Sequence, residues 1–192
     1  MNDRRHHKAL RGVLRRTFGL KQPILGAEIG VHRGDLSAGL LHAFPRLTLL
    51  MVDPWLCYQS RVRRHTVPVL DTQRQRLDDY QTAYRAVQWA VGRGVIWRAT
   101  SLEVAACLQD RSLHFAFIDA AHDETSVAAD IRAWWPKIQV GGFLAGHDYG
   151  RRNCPGVATA VHAWCEATGG TMGVDVQVGH GTMWYTSPKI EE

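Results

Sequence analysis

The stretch Ile24-Leu25-Gly26-Ala27-Glu28-Ile29-Gly30-Val31-His32-Arg33-Gly34 decides the fold of this chain. A short apolar run contains one acidic residue, Glu28, and two glycines, Gly30 and Gly34, then precede an amphipathic segment. This order is typical of a buried parallel strand that turns tightly into a helix, where a Cβ would block both the turn and the approach of a ligand. The stretch therefore predicts the ligand-binding first turn of an α/β sheet.

The glycine spacing also limits the class of ligand. It differs from the G-x-G-x-x-G pattern that binds the pyrophosphate of a dinucleotide. Glu28 stands where it would repel a pyrophosphate and attract an amino group or a hydroxyl. We therefore expect a nucleoside-like cofactor without a diphosphate, and S-adenosylmethionine fits this description.

The rest of the chain continues the same pattern, because apolar runs alternate with helical periodicities as far as about residue 170. This alternation predicts an α/β sheet with helices on both faces. Strands are expected near 24–29, 47–53, 94–98, 114–119 and 139–146. Helices are expected at 34–44, at 71–92 with Asp71 as N-cap, at 124–135 and from Pro155 to Gly169. Residues 172–178 and 181–186 flank Gly179-His180-Gly181 and predict an antiparallel hairpin.

Composition places the chain among single-domain proteins of a reducing compartment. Its 192 residues can bury a core without disulfides, and its four cysteines form no C-x-x-C pair. The charged N-terminus has no apolar run behind it, so we expect no signal peptide, no membrane span and a cytoplasmic location. We divide the chain into a basic helical segment (1–23), one domain (24–187) and a short tail (188–192).

The net charge of +5 raises the question of nucleic-acid binding. Much of the charge lies in the first sixteen residues, where no aromatic side chain is interleaved for base stacking before Phe18. This pattern favours a solvated basic helix over a nucleic-acid-binding arm.

Acidic and hydroxyl residues follow the predicted strands at the sheet edge where ligands bind in open α/β folds. Asp53 ends the second strand, where a carboxylate can accept hydrogen bonds from both ribose hydroxyls, although a turn residue before Pro54 is the alternative. Ser101 follows the third strand, where it can cap the next helix or touch an adenine edge. Residues 54–70 are interpreted either as a lid over the acceptor or as a surface loop.

The fourth and fifth strands supply the candidate chemistry. Asp119 and His122 follow the fourth strand, and His147 and Asp148 follow the fifth. Neighbouring strand ends lie about 5 Å apart, so Asp119, His147 and Asp148 can converge on one point. Two carboxylates and an imidazole suit a divalent cation, whereas His122 or His147 can instead serve as a general base. Capping of helices or loops is the alternative for each residue alone.

These residues together resemble a class I S-adenosylmethionine-dependent methyltransferase, and within that class the small O-methyltransferases that include antibiotic-sugar tailoring enzymes. The similar segments are Glu28–Gly34, Val52–Trp55, Phe117–His122 with Val127 and Asp130-Ile131, Gly141–Tyr149, and Pro155–Val157 with Ala160-Val161. The resemblance implies a Rossmann-like seven-stranded sheet, in which the predicted hairpin extends five parallel strands.

The resemblance also implies roles for individual residues. The cofactor residues are Glu28, Gly30, Gly34, Asp53, Ser101 and Asp119. In metal-dependent relatives such as the catechol O-methyltransferases, Mg²⁺ is held after strands four and five, at positions that map onto Asp119, His147 and Asp148. Apart from the resemblance, the chemistry of the strand ends makes Asp119, His122 and His147 the candidate catalytic residues.

We therefore expect methyl transfer from S-adenosylmethionine to the oxygen of a small hydroxylated acceptor, with or without Mg²⁺ or another divalent cation. Two alternatives stay open, an RNA methyltransferase and a non-catalytic cofactor-binding partner protein. The helix at 71–92 is a candidate dimer element.

Overall fold

The computed structural model of the chain describes residues 5–56, 73–169, 172–175 and 182–191. The helices are α1 (Arg5–Phe18), α2 (Asp35–Ala43), α3 (Gln73–Val87), α4 (Ser101–Cys107), α5 (Glu124–Trp134) and α6 (Pro155–Thr168), with a 3-10 turn at Trp135–Lys137. The strands are β1 (Ile24–Ile29), β2 (Leu47–Val52), β3 (Gly94–Trp97), β4 (Leu113–Ile118), β5 (Ile138–Tyr149), β6 (Met172–Asp175) and β7 (Thr182–Thr186).

The strands form one mixed sheet in the order β3-β2-β1-β4-β5-β7-β6. Strands β1 to β5 pair in parallel, whereas β7 runs antiparallel to both β5 and β6. The order reverses at β1, so that β1 lies between β2 and β4, and the carboxyl ends of these three strands meet at one edge. The predicted α/β Rossmann-like class, with parallel strands extended by an antiparallel pair, is confirmed.

Two predicted boundaries were wrong. Strand β5 continues to Tyr149, because β7 pairs with it as far as Tyr149 and Thr182. His147 and Asp148 therefore lie inside the end of a strand and not in the loop after it. Helix α3 ends at Val87, short of residue 92, and the chain then turns through Gly92, which has φ +73°. The expected N-cap Asp71 lies outside the described residues.

The core has one layer on each face of the sheet. Buried side chains of α1, α2 and α3 cover one face, and those of α4, α5 and α6 cover the other. Helix α1 contributes four buried apolar side chains, namely Ala9, Leu10, Val13 and Leu14, while Lys8, Arg15 and Arg16 are exposed. The expected solvated basic helix therefore has only one solvated face, and α1 is packed as part of the domain.

Among the described residues, no helix has both the length and the apolar character that a bilayer crossing requires. Of the segment 54–70, interpreted above as a lid or a loop, only residues 54–56 are described.

Candidate active site

The turn between β1 and α2 (residues 30–34, the glycine turn) adopts backbone conformations that favour glycine. Gly30 has φ +91° and Gly34, at the start of α2, has φ +78°. A Cβ at Gly30 would lie 2.1 Å from the carbonyl oxygen of Asp119, so the turn passes directly against the end of β4. The close approach seen at Gly30 is between two strand ends, and the predicted approach of a ligand to this glycine stays a prediction.

Glu28 is buried beneath this turn, where it is 2 % exposed and accepts a 2.6 Å hydrogen bond from the hydroxyl of Ser37 on α2. Burial, together with the nearby carboxylates of Asp119 and Asp53, raises the pKa of Glu28 to about 8 against the opposing hydrogen bond from Ser37. At neutral pH the carboxyl group therefore holds its proton. A positively charged group beside it would favour the ionised form.

Asp53, at the end of β2, holds the glycine turn in place. Its Oδ2 accepts hydrogen bonds from the backbone N–H groups of Val31 and His32, each at 3.0 Å, and its Oδ1 accepts one from Trp55 at 2.7 Å. A carboxylate offers about four acceptor positions, so about one stays available for a ribose hydroxyl. A contact to both ribose hydroxyls would require one of these backbone bonds to open.

Trp55 completes the same arrangement. Its indole N–H donates to the backbone carbonyl of His32 at 2.8 Å, and its side chain is buried. Trp55 was placed in the similar segment Val52–Trp55 but was given no role of its own.

Ser101 does not cap α4, so that alternative was wrong. Thr100 is the N-cap, and it forms a reciprocal capping box with Glu103. The hydroxyl of Ser101 instead donates to the carboxyl group of Asp130 and accepts a 2.8 Å hydrogen bond from the indole of Trp134. Both partners belong to α5, so Ser101 joins α4 to α5. Its contact to adenine stays a prediction.

The polar residues of β4 and β5 come together as the strand pairing predicts. The Nδ1 atom of His147 lies 3.7 Å from Asp119 Oδ1 and 3.3 Å from Asp148 Oδ1. The Nε2 atom of His122 lies 2.8 Å from Asp148 Oδ2 and 3.8 Å from Asp119 Oδ1. Two carboxylates and two imidazoles therefore form one cluster, the strand-end cluster, directly beside the glycine turn.

Charge pairing sets the protonation of this cluster. The neighbouring carboxylates of Asp119 and Asp148 raise the pKa of His122 to about 9. Burial alone would raise the pKa of Asp119, but the neighbouring imidazoles of His122 and His147 outweigh burial and hold that pKa well below its usual range. His122 therefore carries a proton at neutral pH, and it can act as a base only after losing that proton.

Asp148 reaches the cluster through an unusual backbone conformation. Its φ is +59°, and the pairing of β5 with β7 shifts register between Gly146 and Tyr149. The carboxylate is buried and also accepts a 2.9 Å hydrogen bond from the guanidinium of Arg151. Arg151 was not predicted as a site residue, and its spacing of three from Asp148 was the available signal.

One further imidazole, that of His6 on α1, reaches the strand-end cluster and was missed. Its ring centroid lies 4.1 Å from that of His147. No local motif marks His6, because the contact joins the N-terminal helix to the fifth strand. A small cavity beside the cluster is lined by Asp119, His122 and His147 together with apolar residues that include Val127, Val157 and Trp184.

Comparison with known proteins agrees with this architecture. The sequence model of a family described as a methyltransferase domain matches residues 27–149, which include the glycine turn and the strand-end cluster. No curated protein matches the chain.

Several solved structures share the fold. The O-methyltransferase NovP is similar over 96 % of this chain and 80 % of its own, with 16 % identity and a TM-score of 0.71. TomG from Streptomyces achromogenes, an O-methyltransferase of tomaymycin synthesis solved with S-adenosylmethionine, is similar over 98 % of this chain and 82 % of its own, with 13 % identity and a TM-score of 0.69. A Corynebacterium glutamicum protein is similar over 100 % of this chain and 84 % of its own, with 16 % identity and a TM-score of 0.68.

Proposed function

Since this chain belongs to the family of S-adenosylmethionine-dependent methyltransferase domains, we propose that it methylates an oxygen atom of a small hydroxylated acceptor. The observation that carries the proposal is the position of the strand-end cluster against the glycine turn, where a Cβ on Gly30 would meet the carbonyl of Asp119. A cofactor bound at the turn would therefore lie beside carboxylates and imidazoles that can take the proton of an acceptor hydroxyl.

In the proposed complex, residues at the carboxyl edge of β1 and β2 would hold the cofactor. Glu28 is the partner of the amino group of the methionine moiety, because it is the buried carboxyl group at the end of β1. Asp53 contributes its remaining acceptor position to a ribose hydroxyl. Gly30, Gly34, Ser101 and Asp119 complete the set of cofactor residues in this proposal.

The transfer itself is a single displacement. The acceptor oxygen forms a bond to the methyl carbon as the bond from that carbon to the sulfonium sulfur breaks, and the hydroxyl proton leaves to a base. Alignment of oxygen, carbon and sulfur supplies much of the rate acceleration. The ionised carboxylate of Asp119 orients the imidazoles of His122 and His147, and either imidazole, once deprotonated, can accept the proton.

The strand-end cluster also suits a divalent cation. Asp119 and His147 offer a carboxylate and an imidazole nitrogen within one cluster, which is a donor set that divalent cations accept. An ion held there would lower the pKa of an acceptor hydroxyl.

The proposal is tested by incubating the purified protein with labelled S-adenosylmethionine and either small phenols and polyols or total RNA. Label in a small hydroxylated acceptor supports the proposal. Label in RNA alone would overturn it in favour of an RNA methyltransferase. Binding of S-adenosylhomocysteine without transfer to any acceptor would favour a non-catalytic partner protein.

The proposed ribose contact leads to a prediction for Asp53. We expect Asp53→Ala to weaken S-adenosylmethionine binding by roughly 2–3 kcal/mol, the scale for losing a charged hydrogen-bond acceptor. Calorimetric titration measures the change. Asp78→Ala, on the exposed side of α3, is the control and should bind as the wild type does. Unchanged affinity in Asp53→Ala would remove Asp53 from the cofactor site.

A further inference from the structure

Helix α1 brings one histidine into the strand-end cluster. His6, Leu10 and Val13 have the spacing i, i+4 and i+7, which places them on one face of a helix. Leu10 and Val13 are buried in the core, so this face is held against the sheet. The ring of His6 accordingly lies nearly parallel to that of Phe117 in β4, with an interplanar angle of 6°.

His6 forms a compact group with two members of the strand-end cluster. The donor atoms of His6, Asp119 and His147 all lie within 4.8 Å of one another. These three residues come from α1, from the end of β4 and from the end of β5, and all three are partly exposed. Metal sites that leave coordination positions open for other ligands commonly have three protein ligands. The three donors here, which come from three different elements, fit that arrangement.

The donor types indicate which cation the group would take. Mg²⁺ and Ca²⁺ prefer oxygen ligands, whereas two imidazoles with one carboxylate are typical of zinc and of ferrous iron. We propose that His6, Asp119 and His147 bind a divalent first-row transition-metal ion. Two of these ligands, Asp119 and His147, also line the small cavity beside the strand-end cluster.

Asp148 is outside this ligand set for an electrostatic reason. One of its oxygens accepts a hydrogen bond from Arg151 at 2.9 Å, and the other pairs with His122 at 2.8 Å. Both oxygens are therefore already bonded to cationic groups, and a metal ion would have to displace one of them. The sequence predicted the metal ligands Asp119, His147 and Asp148. The set proposed here keeps Asp119 and His147 and has His6 in place of Asp148.

A second group of donors, His122, Asp148 and Cys154, also lies within the same distance limit. Its carboxylate is the one already paired with Arg151. Burial raises the pKa of the Cys154 thiol, whereas a metal ligand must be the thiolate. This group is the competing location in the test below.

The test is a titration of the metal-free protein with Co²⁺, followed by visible absorption and calorimetry. We expect the wild-type protein to give the absorption spectrum of nitrogen-ligated Co²⁺. We expect His6→Ala to bind Co²⁺ about 100-fold more weakly, because loss even of a residue that only supports a metal ligand can weaken binding by that factor. His6→Gln keeps more of the side-chain volume if the alanine variant fails to fold. His42→Ala, an exposed histidine of α2 that contacts Trp89, is the control and should bind Co²⁺ as the wild type does.

Three results would overturn the proposal: wild-type Co²⁺ affinity in both His6 variants, loss of Co²⁺ binding in Cys154→Ser, or displacement of Co²⁺ by Mg²⁺ at equal concentration. A role of the metal ion in methyl transfer rests on the proposed function, whereas the binding of the ion to His6, Asp119 and His147 does not. Co²⁺ binding without methyl transfer to any hydroxylated acceptor would therefore contradict only the proposed function, and transfer by a protein that binds no Co²⁺ would contradict only this inference.

Discussion

Gly30→Ala is expected to cost more than about 4 kcal/mol of folding free energy, which is a large part of the stability of an ordinary domain. The new Cβ would lie 2.1 Å from the carbonyl oxygen of Asp119 and 2.8 Å from the Cα of Ala120. Both are backbone atoms, so no side-chain rotation relieves the overlap. The φ of +91° adds strain that an alanine does not accept.

Urea unfolding measures this change. Gly39→Ala is the matched control, because its Cβ would meet nothing within 4 Å and because it lies inside α2. An alanine in a helix interior is better than glycine by about 0.5–1 kcal/mol, so the control should be slightly stabilised. If Gly30→Ala lost less than about 1 kcal/mol, the close approach between the glycine turn and the end of β4 would be wrong. A folded variant should also bind S-adenosylhomocysteine poorly, since the turn carries the proposed cofactor site.

The second large effect is the pH dependence that Glu28 imposes on stability. Its pKa is 4.5 in the unfolded chain and about 8 in the folded protein, because the carboxyl group is buried. Between these values the folded protein holds one more proton than the unfolded chain. The free energy of unfolding therefore falls as the pH rises from about 4.5 to about 8, by up to about 1.4 kcal/mol per pH unit, and stays low above that range.

Glu28→Gln should remove this dependence, because the amide stays neutral and its oxygen can still accept the hydrogen bond from Ser37. Above pH ~8 the variant should be more stable than the wild type by several kcal/mol. Chemical denaturation at a series of pH values measures both curves. Glu166→Gln, an exposed position on α6, should follow the wild type. Parallel curves for the wild type and Glu28→Gln would contradict the raised pKa.

The same group couples cofactor binding to a proton. If the amino group of the cofactor pairs with Glu28, binding favours the ionised carboxylate and releases its proton at neutral pH. Calorimetry in buffers of different ionisation enthalpy should show that release for the wild type and none for Glu28→Gln. Tight binding without proton release would remove Glu28 from the amino-group site.

Local patterns in the sequence predicted most of the fold. The predicted bounds of β1 agree with the structure at Ile24 and Ile29, and those of α5 agree to within one residue. Such elements are readable because buried apolar runs, caps and glycines act within a few residues of one another. The end of β5 was misjudged, since only its pairing with β7 carries the strand through His147 and Asp148.

Local sequence patterns did not predict which of two adjacent residues with similar side chains caps a helix. Thr100 and Ser101 both carry hydroxyls suited to a helix N-cap, and the sequence pattern offered only Ser101, as a cap or as an adenine contact. The position of α5 decides the matter, because Asp130 and Trp134 engage the hydroxyl of Ser101 and leave the cap to Thr100. A packing contact between two helices has no local signature.

The sequence by itself therefore determined the α/β order, the glycine turn after Glu28 and the meeting of Asp119 with His147, because parallel pairing brings successive strand ends to one edge. Only the tertiary structure decided which protein groups each of these polar side chains contacts. It assigned Asp53 to the backbone of the turn, paired Asp148 with Arg151, and brought His6 to His147. These contacts depend on how helices and loops pack around the sheet, and residues far apart in the chain carry no periodic signal of such packing.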